Sequence, residues 1–270
     1  MNIPNYKNQI KIVFFDIDET LLIKDEDRIP DSVVPALNKL KENGIITAIA
    51  TGRTPSNFPP KIKELIAQTG MDLFVTINGQ YIDYKNAPLE KNTLPTEKIQ
   101  KLVDFFEKHQ IEYAQISPTD TAISAATEEV RGALDPLKGH YYVDKDFFKN
   151  NDVFQILAFY NTEKDELVQN SGVLAGLQSV RWHKDSMDLF DANISKASGI
   201  ASAIRHLGFE MENVMAFGDG LNDIEMLRTV GVGVAMGNAH EDVKKIARHI
   251  TRPIDQDGIH YFLKQAGLLD

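Results

Sequence analysis

The chain has 270 residues, a formal net charge of −10 and no cysteine. That length admits one large domain or two ordinary ones, and the lack of cysteine excludes a disulfide framework, a thiolate metal site and a cysteine nucleophile. The acidic balance argues against a broad nucleic-acid surface, although a small anion needs only a local cationic pocket. No apolar run approaches the roughly 18 residues of a membrane span. The opening MNIPNYKNQIKI lacks the apolar stretch and small-residue cleavage site of a signal peptide. A cytoplasmic protein that does not enter a membrane is therefore expected.

Ile12 to Phe15, after Lys11, read as a strand buried on both faces. Ile23 to Pro30 is charged and without a repeating apolar face, which suits a loop or short flap. Asp31 or Ser32 is placed to cap a helix reaching about Glu42, with Val33, Val34, Leu37 and Leu40 on one face. Ile45 to Ala50 is a second strand, ending in Thr51-Gly52-Arg53. A helix follows near Lys61 to Gln68, then a strand from Asp72 to Ile77 and the turn Asn78-Gly79. Strand and helix alternating with short joints predicts a parallel sheet covered by helices.

The rhythm then changes. Tyr81–Tyr84 and Leu89–Leu94 resemble a hairpin around Lys85-Asn86. Glu97 to His109 is helical, with Ile99, Leu102, Val103 and Phe106 on one face. Val153 to Tyr160 reads as a strand, Lys164 to Leu177 as a helix, and Val180–His183 and Met187–Phe190 as short strands. Thr119 to Asp146 has no clear pattern. This middle stretch reads as an inserted domain over residues 83–192, with residues 1–82 and 193–270 forming one core. From Ser195 the alternation resumes: a helix to Leu207, a strand at Val214–Phe217, then Gly218-Asp219-Gly220-Leu221-Asn222-Asp223. A helix at Ile224–Arg228, a strand at Val232–Met236, and helices at Glu241–Ala247 and Asp257–Gln265 complete the chain.

Polar clusters fall at the carboxyl ends of the expected parallel strands, where open α/β sheets bind ligands. Asp16 and Asp18, one residue apart on extended backbone, point to the same side. Two carboxylates so close repel unless one takes a proton or a cation neutralises them. Asp16, Asp18 and Asp219 are hard oxygen ligands of the kind magnesium prefers. Thr51 and Lys196 suit a phosphoryl group, and Gly52 permits close backbone approach. Each piece has an ordinary reading: Asp16 or Asp18 as a cap, Thr51-Gly52 as a strand-ending turn, Lys196 as a solvated helix residue, Asn222 as an N-cap, and Asp223 as a favourable charge at a helix start. Their order and placement together point instead to a nucleophilic Asp16 acting on phosphorus.

The motifs resemble those of the haloacid dehalogenase (HAD) superfamily, and within it the Cof-like phosphatases with a large cap. FDIDETL, ATGR, ISK and GDGLND match the family's four motifs in order, AMGNA is a further signature, and TINGQ is similar to its strand-end Asn-Gly. Glu19 departs from the glycine most often found there. The resemblance implies an α/β fold, a Rossmann-like parallel sheet core with an inserted α+β cap. It implies a Mg2+-dependent phosphatase that releases phosphate from small phosphorylated metabolites through an aspartyl-phosphate. Asp16 would be the nucleophile and Asp18 the acid and base. The phosphoryl group would be held by Thr51, Gly52, Lys196, Asn222 and the backbone of Ile17. The metal would be held by Asp16, the Asp18 carbonyl and Asp219, with Asp223 acting through water. The cap would exclude water and choose the substrate. A sugar phosphomutase using the same intermediate and a phospho-acceptor or metabolite-binding regulator are the alternatives. The oligomeric state is open.

Overall fold

The computed structural model describes residues 3–270, so the first two residues of the expected core segment lie outside it. The first strand, β1 (Ile12–Phe15), is fully buried, as its uninterrupted apolar run requires. Then come α1 (Val33–Glu42), β2 (Ile46–Ala50), α2 (Pro60–Thr69) and β3 (Leu73–Thr76). Ser32 precedes α1 but does not cap it; its hydroxyl donates to Asp257 at 2.6 Å. The β3 strand stops at Thr76 because Ile77 and Asn78 turn left-handed, at φ 51° and 53°. The hairpin of β4 (Tyr81–Tyr84) and β5 (Ala87–Lys91) turns at Lys85-Asn86, both at positive φ, as a two-residue hairpin loop prefers.

The inserted region contains α3 (Thr96–Lys108), β6 (Glu112–Ile116), β7 (Thr121–Ile123), α4 (Glu128–Leu134), β8 (Tyr142–Val143), β9 (Gln155–Phe159), α5 (Asp165–Asn170), β10 (Leu177–His183) and β11 (Ser186–Asp191). Its six strands form one sheet in the order β10-β11-β9-β6-β7-β8. The apolar face of α3, Ile99, Leu102, Val103 and Phe106, packs with Tyr113, Ile156, Ala158 and Leu189 in this region's own core. The expected helix from Lys164 to Leu177 is corrected to α5, which ends at Asn170. Gly172 and Gly176 are both left-handed and interrupt it. The patternless stretch from Thr119 to Asp146 holds β7, α4 and β8, elements too short for a periodic signal.

The chain returns with α6 (Lys196–Leu207), β12 (Val214–Gly218), α7 (Ile224–Thr229), β13 (Val232–Ala235), α8 (Glu241–Ile246), β14 (His249–Ile250) and α9 (Gly258–Gln265). The main sheet runs β14-β13-β12-β1-β2-β3-β4-β5 and is parallel from β14 to β3. The β3–β4 step is antiparallel, and β5 follows through the hairpin. Strand β1 pairs with β2 on one side and β12 on the other, with Ile12 opposite both Ile46 and Val214. The strand order therefore reverses beside β1, which makes its carboxyl end the switch point where such sheets open a crevice.

Two compact units emerge. One comprises the chain up to Gly52, Pro60–Glu90 and Ser195–Asp270; the other comprises Arg53–Pro59 and Lys91–Ile194. The chain enters the insert after Glu90, later than the change of sequence pattern at residue 82, because β4 and β5 extend the main sheet, and Arg53–Pro59, expected in the core, groups with the insert.

Candidate active site

Asp16 follows β1 directly and is 6% exposed. Its N–H donates to the Phe217 carbonyl at 3.0 Å, which ties the end of β1 to the end of β12. The segment after it coils tightly: the Ile17 carbonyl accepts from Leu21 at 2.9 Å and Leu22 at 2.8 Å. Asp18 is half-buried in this coil, and Thr20 is buried with its hydroxyl donating to Asp219 Oδ1 at 3.0 Å. Glu19 sits at φ 54°, the left-handed region where glycine carries no penalty. Three contacts hold it there, the first from its own N–H to the Leu22 carbonyl at 2.8 Å. Its carboxylate accepts from the Lys24 N–H at 3.0 Å, and its carbonyl accepts from Asn238 Nδ2 at 2.8 Å.

Lys196 opens α6 behind Ser195, which caps the helix through a reciprocal Ser195–Ser198 pair. The ordinary reading of Lys196 as a solvated helix residue fails. The residue is 2% exposed, and its ammonium lies 3.1 Å from Asp16 Oδ1 and 2.7 Å from Asp223 Oδ1. Burial alone would lower its pKa; Asp16 and Asp223 outweigh that and hold it charged.

Asp223 is wholly buried, and both its oxygens are engaged. Oδ1 takes Lys196, and Oδ2 accepts the N–H groups of Asp219 at 2.9 Å and Gly220 at 3.0 Å. One carboxylate thus shapes the Gly218–Asp223 loop and aligns the lysine. A Cβ on Gly218 would fall 2.5 Å from the Asp223 carboxyl carbon, so only glycine fits there.

Asp16, Asp219 and Asp223 bring ligand oxygens within 4.8 Å of one another. The Asp18 side chain is not in that group. Burial, opposed by Lys196 and reinforced by Asp223 and Asp18, pushes the Asp16 carboxyl up to about 7. Burial, with Asp16 and Asp223 adding to it, pushes Asp219 up to about 8. Such crowded, desolvated anions are what a bound cation relieves. The oxygens gathered there are all hard carboxylate oxygens, the donor type that fits magnesium.

Thr51, at the end of β2, is buried, with its N–H donating to Val75 at 2.9 Å. Gly52 follows it, and Asn222 is exposed in the Gly218–Asp223 loop. The fold therefore brings Asp16, Asp18, Thr51, Gly52, Lys196, Asp219, Asn222 and Asp223 to one edge of one sheet. Asn78 was read from the sequence as part of a strand-ending turn that resembles the family's Asn-Gly, with no role at the site. It is 4% exposed, and its Oδ1 accepts from Asn222 Nδ2 at 3.4 Å. An asparagine before a glycine at a third strand end was the available signal.

A sequence profile of haloacid dehalogenase-like hydrolases matches residues 13–263. The chain belongs to that family. It is 36% identical over 262 residues to YkrA of Bacillus subtilis, whose name carries a provisional phosphatase assignment, covering 96% of this chain and 98% of YkrA. It is 31% identical over 261 residues to 5-amino-6-(5-phospho-D-ribitylamino)uracil phosphatase YcsE of Bacillus subtilis, covering 96% of each. The solved structure of BT4131, described as a HAD subclass IIB sugar phosphatase, superposes with a TM-score of 0.84 at 33% identity. That match spans 96% of this chain and 99% of BT4131. The chain is thus a HAD-type phosphatase, and its parallel-sheet core is the HAD fold. No helix among the described residues is long and apolar enough to cross a membrane.

Proposed function

We propose that this phosphatase hydrolyses phosphate monoesters of small metabolites, with Mg2+, through a phosphorylated Asp16. One observation carries the reading: a buried ammonium lies 3.1 Å from Asp16 and 2.7 Å from Asp223, beside a third carboxylate. A merely structural ion pair has no use for that surplus of buried anions.

An Asp16 oxygen attacks phosphorus, and the bond to the leaving oxygen breaks. Asp18 delivers a proton to that oxygen, releasing an alcohol. Asp18, now a carboxylate, takes a proton from water. The resulting hydroxide attacks the phosphorus, and the bond to Asp16 breaks to give inorganic phosphate. Lys196, Thr51, the Ile17 and Gly52 N–H groups and Asn222 hold the phosphoryl oxygens. Asp223 fixes Lys196 and the Asp219 loop. Asp16, the Asp18 carbonyl and Asp219 would hold magnesium, with Asp223 behind them; when bound, the ion offsets repulsion between phosphate and carboxylates. The inserted unit, by family resemblance, selects the leaving group.

The names of YcsE and BT4131 make sugar and sugar-alcohol phosphates the first substrates to test, with nucleotides next. The test is a screen of phosphorylated metabolites for free phosphate, with and without magnesium. Metal-dependent release without an isomeric phosphate is expected, and Asp16→Asn should abolish it. Undiminished release by Asp16→Asn would overturn the nucleophile assignment.

A further inference from the structure

The turn after β3 has an unusual backbone. Ile77, Asn78 and Gly79 are consecutively left-handed, at φ 51°, 53° and 96°. For a β-branched residue such as Ile77 this is an outlier, and it is fully buried. Strained, buried turns persist where their surroundings over-determine them, and they gather at functional sites. Here α6 supplies the constraint. A Cβ on Gly199 would fall 2.6 Å from the Val75 side chain and 2.9 Å from the Gly79 Cα, so the helix that begins with Lys196 lies directly on this turn.

We propose that Asn78 is a positioning residue for the phosphoryl group, acting through Gly52 and Asn222. The inference rests on the phosphatase reading above and adds a residue to it. The Asn78 N–H donates to the Thr51 carbonyl at 3.1 Å, and the Thr51 N–H donates to Val75 at 2.9 Å. Both groups of Thr51 therefore face β3. In a planar trans peptide the next N–H points opposite to that carbonyl. The Gly52 N–H is thereby aimed away from β3, toward the side of β2 where β1 ends in Asp16.

The Asn78 side chain works on the opposite flank. Its Oδ1 accepts from Asn222 Nδ2 at 3.4 Å, which fixes the direction of the second Asn222 N–H. A Cβ on Gly52 would sit 3.0 Å from that same Oδ1. Asn78 thus joins two phosphate-binding segments that lie far apart in sequence, and the left-handed turn is what lets one residue reach both.

The experiment uses the full chain with magnesium, 4-nitrophenyl phosphate as substrate and inorganic phosphate as competitive inhibitor. Asn78→Gly accepts the left-handed φ at its own position, leaves Ile77 as it is, and removes only the Asn78 side chain. It should raise the phosphate inhibition constant about fivefold and lower kcat/KM about tenfold, the scale of a misplaced binding group, with little change in Tm. Added to Asn222→Ala, it should cost less than about twofold more, because the two side chains act as one unit. Gly52→Ala approaches from the other side and serves if Asn78→Gly folds poorly. It should weaken phosphate in the same sense, and less so when Asn78 is already glycine. Unchanged phosphate inhibition in Asn78→Gly, or effects that multiply independently with those at Asn222 and Gly52, overturns the proposal. Asp16→Asn is the control. If it turns over normally, the phosphatase mechanism has failed; if it is inactive while Asn78→Gly is normal, only the role of Asn78 has failed.

Discussion

The main sheet's candidate catalytic edge and the inserted unit each bury a long polar side chain, with opposite consequences. In the insert, Gln115 donates to the carbonyls of Asp144 at 3.2 Å and Lys145 at 3.0 Å, and it accepts from the Phe148 N–H at 2.8 Å. All three partners are backbone, so this amide stitches a loop to a strand. At the catalytic edge, Lys196 binds two carboxylates, so its burial sets charge as well as shape. The backbones differ in the same way. Left-handed non-glycine residues in the insert, Gln110 and Lys138, sit at exposed turns, whereas Ile77 and Asn78 are buried beside the site. Buried polarity satisfied by backbone is architecture; buried polarity satisfied by titratable side chains is chemistry held in readiness.

Lys196→Met tests this contrast most severely. It leaves Asp16 and Asp223 facing each other without a cation, a loss of about 3–5 kcal/mol for a broken buried pair. Turnover should also fall at least ~100-fold, the scale of a lost electrostatic contact to the transferring group. Denaturant melts and steady-state rates measure the two effects separately. Gln115→Met should cost about 1–3 kcal/mol, because it strands a buried Phe148 N–H, while turnover stays within about threefold. A collapse of turnover in that variant would erase the distinction.

Titration sharpens the same comparison. Asp16 and Asp219 have folded pKa values raised to about 7 and about 8, above the 3.8 of an unperturbed aspartate. Between those values the folded chain binds more protons than the unfolded one, so their contribution is full below pH 3.8 and is lost as pH rises through 7 to 8. Metal-free protein should therefore lose thermal stability from pH 5 toward 8, and magnesium should restore it. Magnesium should also release protons and bind more tightly as pH rises through that window, measurable by calorimetry in buffers of different ionisation enthalpy. Proton-neutral binding would contradict the crowding of these carboxylates. The smallest expected effect is at Glu19. Glu19→Gly removes a left-handed penalty of about 1 kcal/mol but also the carboxylate that caps the Lys24 N–H, so Tm should shift by only a few degrees.

Much of this site was legible because strand ends are local features. An apolar run followed by Asp16 and Asp18, or a strand followed by Thr51-Gly52 or Gly218-Asp219-Gly220, places its polar residues at one edge once the sheet is parallel. The motif order then identified the family, and the sequence profile bears that out. Local patterning failed where glycines cut α5 short, and where a hairpin after the first three strands still belonged to the main sheet.

Composition and periodicity alone determined that this chain forms a parallel sheet with acids at its strand ends and an insertion of different rhythm. Only the tertiary structure decided that Lys196 is buried between Asp16 and Asp223, that Asp223 spends both oxygens inside the protein, and that Asn78 reaches Thr51 and Asn222. The physical reason is separation along the chain. A lysine at a helix start looks the same in sequence whether it meets water or two carboxylates, and a residue's φ is set by what packs on it.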